Sequence, residues 1–249
     1  MLKTVILAAG KGTRMKSDLP KVVHKAAGIP MVEHVLNACV EAGVKEACVV
    51  IGYGSDVVKE CVSHTKAVTE GRVSVTFAMQ EEQLGTGHAV KCARDFIGKE
   101  GSTLVLCGDT PLITGKTLKK LAEHHQAAGN DTTVLSAILE DPTGYGRIIR
   151  DGEGRFVKNV EHKDATEEER ASREINSGMY IFQSDKLYDA LDQLNNNNAQ
   201  GEYYLPDTLT IIKSQGGAVD AMVIDDVTEI EGVNSPEQLA HAEEVLKLR

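Results

Sequence analysis

The stretch that most constrains this chain lies at its start, TVILAAGKGTRM at positions 4–15. Five consecutive apolar residues (5–9) stop abruptly at Gly10 and give way to Lys11, Gly12, Thr13 and Arg14. A short continuous apolar run with β-branched members predicts a strand buried on both faces, as in a parallel sheet. Glycine just past the strand end lets the backbone adopt φ > 0 and lets its amides approach a ligand closely. Successive free amides in such a turn form an anion cradle, to which Lys11, Arg14 and Lys21 add positive charge. Ligands of open α/β sheets bind beyond the carboxyl ends of the strands, which is where this loop would sit. A phosphate-bearing ligand is one reading; a tight strand-to-helix turn with solvated basic side chains is the other. The dinucleotide fingerprint fails because Met15 stands where its third glycine should be, and no Gly-Lys-Ser/Thr closes a P-loop.

The first half of the chain continues as alternating elements. Helical spacing predicts helices over 31–42, over 55–64 with Ser55 as cap, over 86–97 and over 117–128. Strands are predicted at 47–51, 73–79, 103–107 and 132–139. Strands alternating with helices of this length imply right-handed crossovers and a mostly parallel sheet. After Asp141-Pro142, a turn signal, shorter strands take over at 146–150, 156–161 and 175–182. Helices are expected at 184–194 and 203–214 and a strand at 218–224. A last helix has Ser235 as N-cap and Pro236 in its first turn. The four asparagines at 195–198 read as a flexible surface loop.

Composition narrows the function classes. At 249 residues the chain has room for a substantial core, and its formal net charge of -10 argues against nucleic acid as a partner. No apolar stretch is long enough for a membrane span or a signal peptide, so the expected location is cytoplasmic. Five scattered cysteines with no C-x-x-C pair read as buried free thiols.

Further clusters carry candidate chemistry. In QEEQLGTGH (80–88), Gln80 and Gln83 each offer a donor and an acceptor, which suits a nucleobase edge. Gly85 lets the backbone come close, and Thr86 is a candidate N-cap. In LVLCGDTPL (104–112), Asp109 follows a buried strand and a glycine at the same sheet edge as the first loop. A carboxylate there suits Mg²⁺ held against phosphates, with a turn or cap role as the alternative. Glu161 and Asn176 have the chemistry to bond sugar hydroxyls or an amide, and Asn234 offers an amide oxygen as a second metal ligand.

The motifs LAAGKGTRM, DLPKV, EQLGTGHA, GDTPL, DPTGYGRI, VEHKDAT, EINSGMY, NNNNAQGEYYL and EGVNSPEQL, in this order, cover almost the whole chain. Together they resemble the uridylyltransferase half of the bacterial bifunctional N-acetylglucosamine-1-phosphate uridylyltransferase/glucosamine-1-phosphate acetyltransferase family. The first motif is shared by many sugar-nucleotide pyrophosphorylases; EQLGTGHA, VEHKDAT and NAQGEYY are more specific.

The resemblance implies an α/β fold of the nucleotide-diphospho-sugar transferase type. This is a Rossmann-like, mixed and mostly parallel sheet flanked by helices, with a smaller β-rich sugar-binding part. It implies a single domain over 1–249, with nucleotide bound by about 1–140, sugar by about 141–234, and a C-terminal helix at 235–249. The implied reaction joins UTP and N-acetylglucosamine 1-phosphate into UDP-N-acetylglucosamine, a peptidoglycan precursor, releasing pyrophosphate with Mg²⁺. Carried over residue by residue, Leu7, Ala8, Ala9, Gly10, Gln80, Gln83, Gly85 and Thr86 would hold uridine. Arg14 and Lys21 would bind and neutralise the phosphates, and Asp109 and Asn234 would hold Mg²⁺. Gly146, Glu161, Asn176 and Tyr204 would hold the N-acetylglucosamine moiety.

The chain departs from that family in three places. Cys107 precedes Gly108-Asp109 where tyrosine is common, and Leu205-Pro206 follows Tyr204 where isoleucine-threonine is common. No hexapeptide repeats of the acetyltransferase β-helix are present. The expectation is therefore no acetyl transfer, and an oligomer is possible but not assured. Another sugar-1-phosphate nucleotidyltransferase and a non-catalytic sugar-nucleotide-binding module are the competing readings.

Overall fold

The computed structural model describes residues 1–249. Its centre is one sheet of nine strands. These are β1 (Leu2–Ala8), β2 (Glu46–Ile51), β3 (Ser74–Met79), β4 (Ser102–Cys107), β5 (Thr132–Ile138), β6 (Arg147–Arg150), β7 (Phe156–Val160), β8 (Glu174–Gln183) and β9 (Val219–Val223). The main order is β9-β5-β8-β4-β1-β2-β3, with β6 beside β8 and β7 beside β6. β1 runs parallel to both β2 and β4, β2 to β3, and β5 to β9. β8 is antiparallel to β4 and β5, so the sheet is mixed and mostly parallel, as expected.

The apolar run at 5–9 is buried because β1 is central, with helices on both faces. Ile6 faces α1 (Met31–Glu41), α2 (Ser55–Ser63) and α4 (Gly115–Ala128). Val5 faces α3 (Thr86–Cys92), α5 (Ser184–Ala190) and α6 (Asp207–Ser214). Successive side chains of a strand point to opposite faces, so one run of sequence feeds two cores. Fully buried side chains such as Ile6, Leu104 and Leu106 each contribute about 1.5–3 kcal/mol of burial free energy.

The parallel register brings three strand ends level. Leu7 lies opposite Val50 on β2 and Cys107 on β4. Tyr53 N–H donates to Ala9 O (3.1 Å), and Gly108 N–H donates to Leu7 O (2.9 Å). A Cβ on Gly52 would lie 2.9 Å from Ala9 O, so glycine is what lets these two turns touch.

The last helix, α7 (Pro236–Leu248), starts as expected: the Ser235 side chain accepts from Gln238 N–H at 3.3 Å. Its apolar side, including Leu239 and Ala242, packs on Met15, Met31, Leu112 and Val233. That packing fixes the preceding loop, whose Val233 N–H donates to Asp109 O (2.8 Å).

Several boundaries differ from the sequence expectation. The helix expected at 203–214 begins at Asp207, because the segment before it is tied elsewhere: Tyr203 N–H donates to Leu84 O and Gly87 N–H to Tyr203 O, both at 2.8 Å. The helix expected at 86–97 is interrupted at Ala93. Ser55 is not a cap. Gly54, with φ 60°, precedes that helix, and a Cβ there would lie 2.4 Å from the Pro20 ring. Thr86 is likewise inside its helix, with Gly85 in the cap position. The asparagine run lies in a largely exposed loop, as expected; Asn195 Oδ1 accepts from Asn197 N–H (3.0 Å) and Asn198 Oδ1 from Glu202 N–H (3.2 Å). All five cysteines are free; Cys39 and Cys48 are buried and the other three are half-buried.

Candidate active site

The level strand ends open into a cleft formed by two adjoining cavities of about 350 and 310 Å³, which share Leu7, Thr86, Cys107 and Glu202. The first is walled by the end of β1 and its loop (Leu7, Ala8, Ala9, Gly10), by Gln80, Gln83, Gly85 and Thr86, and by Lys21 and Asp109. The second is walled by Gly146, Glu161, Asn176 and Tyr204. The sequence-derived residues thus fall into two groups at one sheet edge. Arg14 is the exception: it is exposed on a short turn (Thr13–Met15) and lines neither cavity. Asn234 lines neither as well, but reaches the first through Lys21.

Local chemistry explains each placement. Gln83 Nε2 donates to Ala9 O (2.8 Å), which ties the glutamine loop to the end of β1. Gln80 is buried, and its Nε2 donates to Gly85 O (3.1 Å) and lies 3.2 Å from His88 Nδ1. Gly85 has φ 108°, and a Cβ there would sit 2.6 Å from Tyr203 O, so only glycine lets the 202–206 segment lie across this turn. Thr86 Oγ1 accepts from Leu205 N–H (3.2 Å). Gly12, with φ 67°, likewise leaves room for the Lys21 side chain, which its Cβ would meet at 2.6 Å.

Lys21 Nζ pairs with Asp109 Oδ2 and donates to Asn234 Oδ1 at 2.8 Å. Both Lys21 and Asp109 are mostly buried. A carboxylate and an amide oxygen therefore converge on one cation, the hard oxygen pair that suits Mg²⁺. No group of three or more His, Cys, Asp or Glu side chains is placed to hold a metal. Asp109 and Asn234 supply two protein oxygens, a number that suits an ion completing its shell with phosphate oxygens and water.

The second cavity is acidic and poorly solvated. Burial pushes the Glu161 carboxyl above its usual range; a hydrogen bond from Asn159 opposes this, and the nearby Asp207 and Asp164 add to it. Burial, then Asp164, raises Asp207 in the same way. Tyr204 is pushed up to about 12, first by burial and then by the carboxylates around it. Its hydroxyl is buried with no partner, an orphan polar group in a cavity wall. The Asn176 side chain is heavily engaged: Nδ2 donates to Asn159 Oδ1 (3.1 Å) and Tyr180 Oη (2.9 Å), and Oδ1 accepts from Gly178 N–H (2.9 Å). One lone pair of Oδ1 remains free for a ligand.

Sequence reasoning missed Asn159 and Tyr180 as parts of this site. Asn159 had a usable signal, since a residue two before Glu161 points to the same face of a strand.

A profile described as nucleotidyl transferase matches residues 3–226 of this chain. The chain belongs to the nucleotidyl transferase family. Membership makes it a nucleotidyltransferase enzyme, as the sequence led one to expect. It is 54% identical over 248 residues to the bifunctional protein GlmU of Caldanaerobacter subterraneus subsp. tengcongensis, covering 100% of this chain and 52% of that protein. It is 50% identical over 247 residues to the bifunctional protein GlmU of Clostridioides difficile strain 630, covering 99% of this chain and 52% of that one. The chain therefore spans about half the length of the curated relatives it matches. A solved structure of UDP-glucose pyrophosphorylase complexed with UDP-glucose superposes over 100% of both chains with a TM-score of 0.79 at 20% identity, a likeness of fold. No helix of this member of the family is long and apolar enough to cross a membrane.

Proposed function

We propose that this nucleotidyltransferase moves UMP from UTP to N-acetylglucosamine 1-phosphate, giving UDP-N-acetylglucosamine and pyrophosphate. The observation that carries this reading is the joining of the two cavities at Leu7, Thr86, Cys107 and Glu202. One cavity presents glutamine amides and strand-end backbone beside a lysine-carboxylate pair, as a uridine triphosphate requires. The other presents a carboxylate, an amide and an orphan phenol, as a sugar with an acetamido group requires. The division of labour is nucleotide to about 1–140 and sugar to about 141–234, within one domain working in the cytoplasm.

In the reaction, a phosphate oxygen of the sugar phosphate forms a bond to the α-phosphorus of UTP as the bond to the β-phosphate bridging oxygen breaks. Pyrophosphate leaves with that electron pair. A phosphate monoester is already anionic near neutral pH, so no residue needs to take a proton from it. Leu7, Ala8, Ala9 and Gly10 form the floor of the uridine site, and Gln80, Gln83, Gly85 and Thr86 read its edge. Gly146, Glu161, Asn176 and Tyr204 hold the N-acetylglucosamine moiety. Lys21 and Arg14 offset the phosphate charge, Arg14 by reaching in from its exposed turn. Catalysis is then positioning plus electrostatic stabilisation. Asp109 and Asn234 would hold Mg²⁺, which when bound supplies further positive charge at the phosphates.

A substrate panel tests the specificity. Pyrophosphate release with UTP and N-acetylglucosamine 1-phosphate should exceed that with glucose 1-phosphate or with dTTP by at least roughly tenfold, the low end of what an unpaired buried polar group costs. Preference for glucose 1-phosphate, or binding of UTP without any release, would reject the proposal.

A further inference from the structure

The second cavity is organised by a residue that does not line it. Asn159, half-buried on β7, donates from Nδ2 to Glu161 Oε1 (3.3 Å) and accepts at Oδ1 from Asn176 Nδ2 (3.1 Å). The direction of this relay is forced. Asn176 Oδ1 is held by Gly178 N–H, so its Nδ2 must face outward, to Tyr180 Oη and to Asn159. Asn159 therefore meets Asn176 with its oxygen and must meet Glu161 with its N–H₂. Gly146 keeps the space clear, since a Cβ there would lie 2.9 Å from Glu161 Oε1 and 3.1 Å from Asn159 Oδ1.

We infer that Asn159 is a positioning residue that aims Glu161 and Asn176 at the sugar and holds Glu161 in its ionised, accepting form. Glu161 Oε1 is occupied by Asn159, and Oε2 has no protein partner. A carboxylate fixed in this way accepts from a ligand hydroxyl through one defined oxygen. The carboxylates facing Glu161, Asp207 and Asp164, favour its protonation, and the nearby phenols Tyr180 and Tyr204 give it no hydrogen bond. Asn159 opposes them with a hydrogen bond to the charged form. The inference rests on the proposed function only for the identity of the ligand; the orientation of the two side chains does not.

Two variants test it. Asn159→Asp keeps the size and the acceptor toward Asn176 but turns an oxygen toward the Glu161 carboxylate. A residue needed only for packing would tolerate it. A positioning residue would not: the KM for N-acetylglucosamine 1-phosphate should rise about tenfold, the loss expected when a hydrogen bond to a charged group is removed. The KM for UTP should stay within about twofold, and lowering the pH should restore sugar binding as the carboxylate pair takes up a proton. Asn159→Leu should raise the same KM without the pH rescue. The titration of Glu161, followed by carboxyl carbon-13 NMR, should move upward in both variants and further in Asn159→Asp. If Asn159→Asp fails to fold, Asn159→Leu and its NMR titration carry the test. An unchanged sugar KM together with an unchanged Glu161 titration would overturn the inference. If the wild-type protein does not use N-acetylglucosamine 1-phosphate, the proposed function fails, and the Glu161 titration still decides the role of Asn159.

Discussion

Lys21 and Asp109, 88 residues apart in the chain, meet as an ion pair in the wall of the first cavity. Lys21 comes from the loop after β1, and Asp109 from the loop after β4, the strand next to β1 in the sheet. The pair exists because two parallel strands end level. Asn234 is its third member, accepting from Lys21 Nζ at 2.8 Å.

Asp109→Ala removes the carboxylate but leaves the main-chain oxygen that Val233 bonds. Turnover should fall by roughly 10²–10³-fold or more, the cost of removing one preorganised charge contact from a transition state. Far-ultraviolet circular dichroism should remain that of the native protein. Substantial metal-dependent turnover in this variant would refute the placement of Asp109 at the metal.

Gly85→Ala places a Cβ against Tyr203 O in a backbone region that L-residues rarely adopt, with φ 108°. The cost in stability should be about 1–3 kcal/mol, the range for a residue held in a strained conformation. The segment at 202–206 should lift from the cleft, raising the KM for UTP. A thermal melt and a UTP titration check both, and a variant matching the wild type in each would contradict the packing described.

Glu161 yields a trade-off between stability and function. Its folded carboxyl titrates above the unfolded value because of burial. The native state therefore holds this proton more tightly, and stability falls as pH rises from the usual carboxylate range through the raised pKa. Glu161→Gln should accordingly raise Tm at neutral pH, with the gain shrinking in mild acid, while sugar-phosphate binding weakens. A Tm that drops at neutral pH would show that Glu161 is better solvated than the structure indicates.

Glu229 is buried away from the cleft, where its Oε2 accepts from both the N–H and the hydroxyl of Thr114, each at 2.9 Å. Thr114 caps α4. Glu229→Ala leaves two half-buried donors of Thr114 unpaired and should cost about 1–3 kcal/mol by denaturant unfolding. KM values should be unchanged; a shift in them without a loss of stability would be inconsistent with a purely structural role.

The parts of this molecule legible in the sequence are those where local pattern and tertiary role coincide. The run at 5–9 is apolar because β1 is central, and the alternation of strands and helices up to residue 139 matches the parallel half of the sheet. Tyr203–Pro206 is not helical, although its spacing suggests a helix, because its hydrogen bonds go to Leu84, Gly87 and Thr86, more than a hundred residues earlier, and no local signal reports that. Gly54 and Gly85 displaced the expected caps for a similar reason: left-handed backbone and close contact outweighed Ser55 and Thr86. Within the cleft, charged and glycine-rich motifs stood out, whereas Asn159 did not. Its role depends on a relay across β6, β7 and β8 that only the folded chain assembles.

The most direct measurement is pyrophosphate release from UTP and N-acetylglucosamine 1-phosphate, first with Mg²⁺ and then with excess EDTA. Release that requires both substrates and stops on chelation is the predicted result. No release from folded protein that binds UTP, or release unaffected by EDTA, would contradict the proposed reaction or its metal.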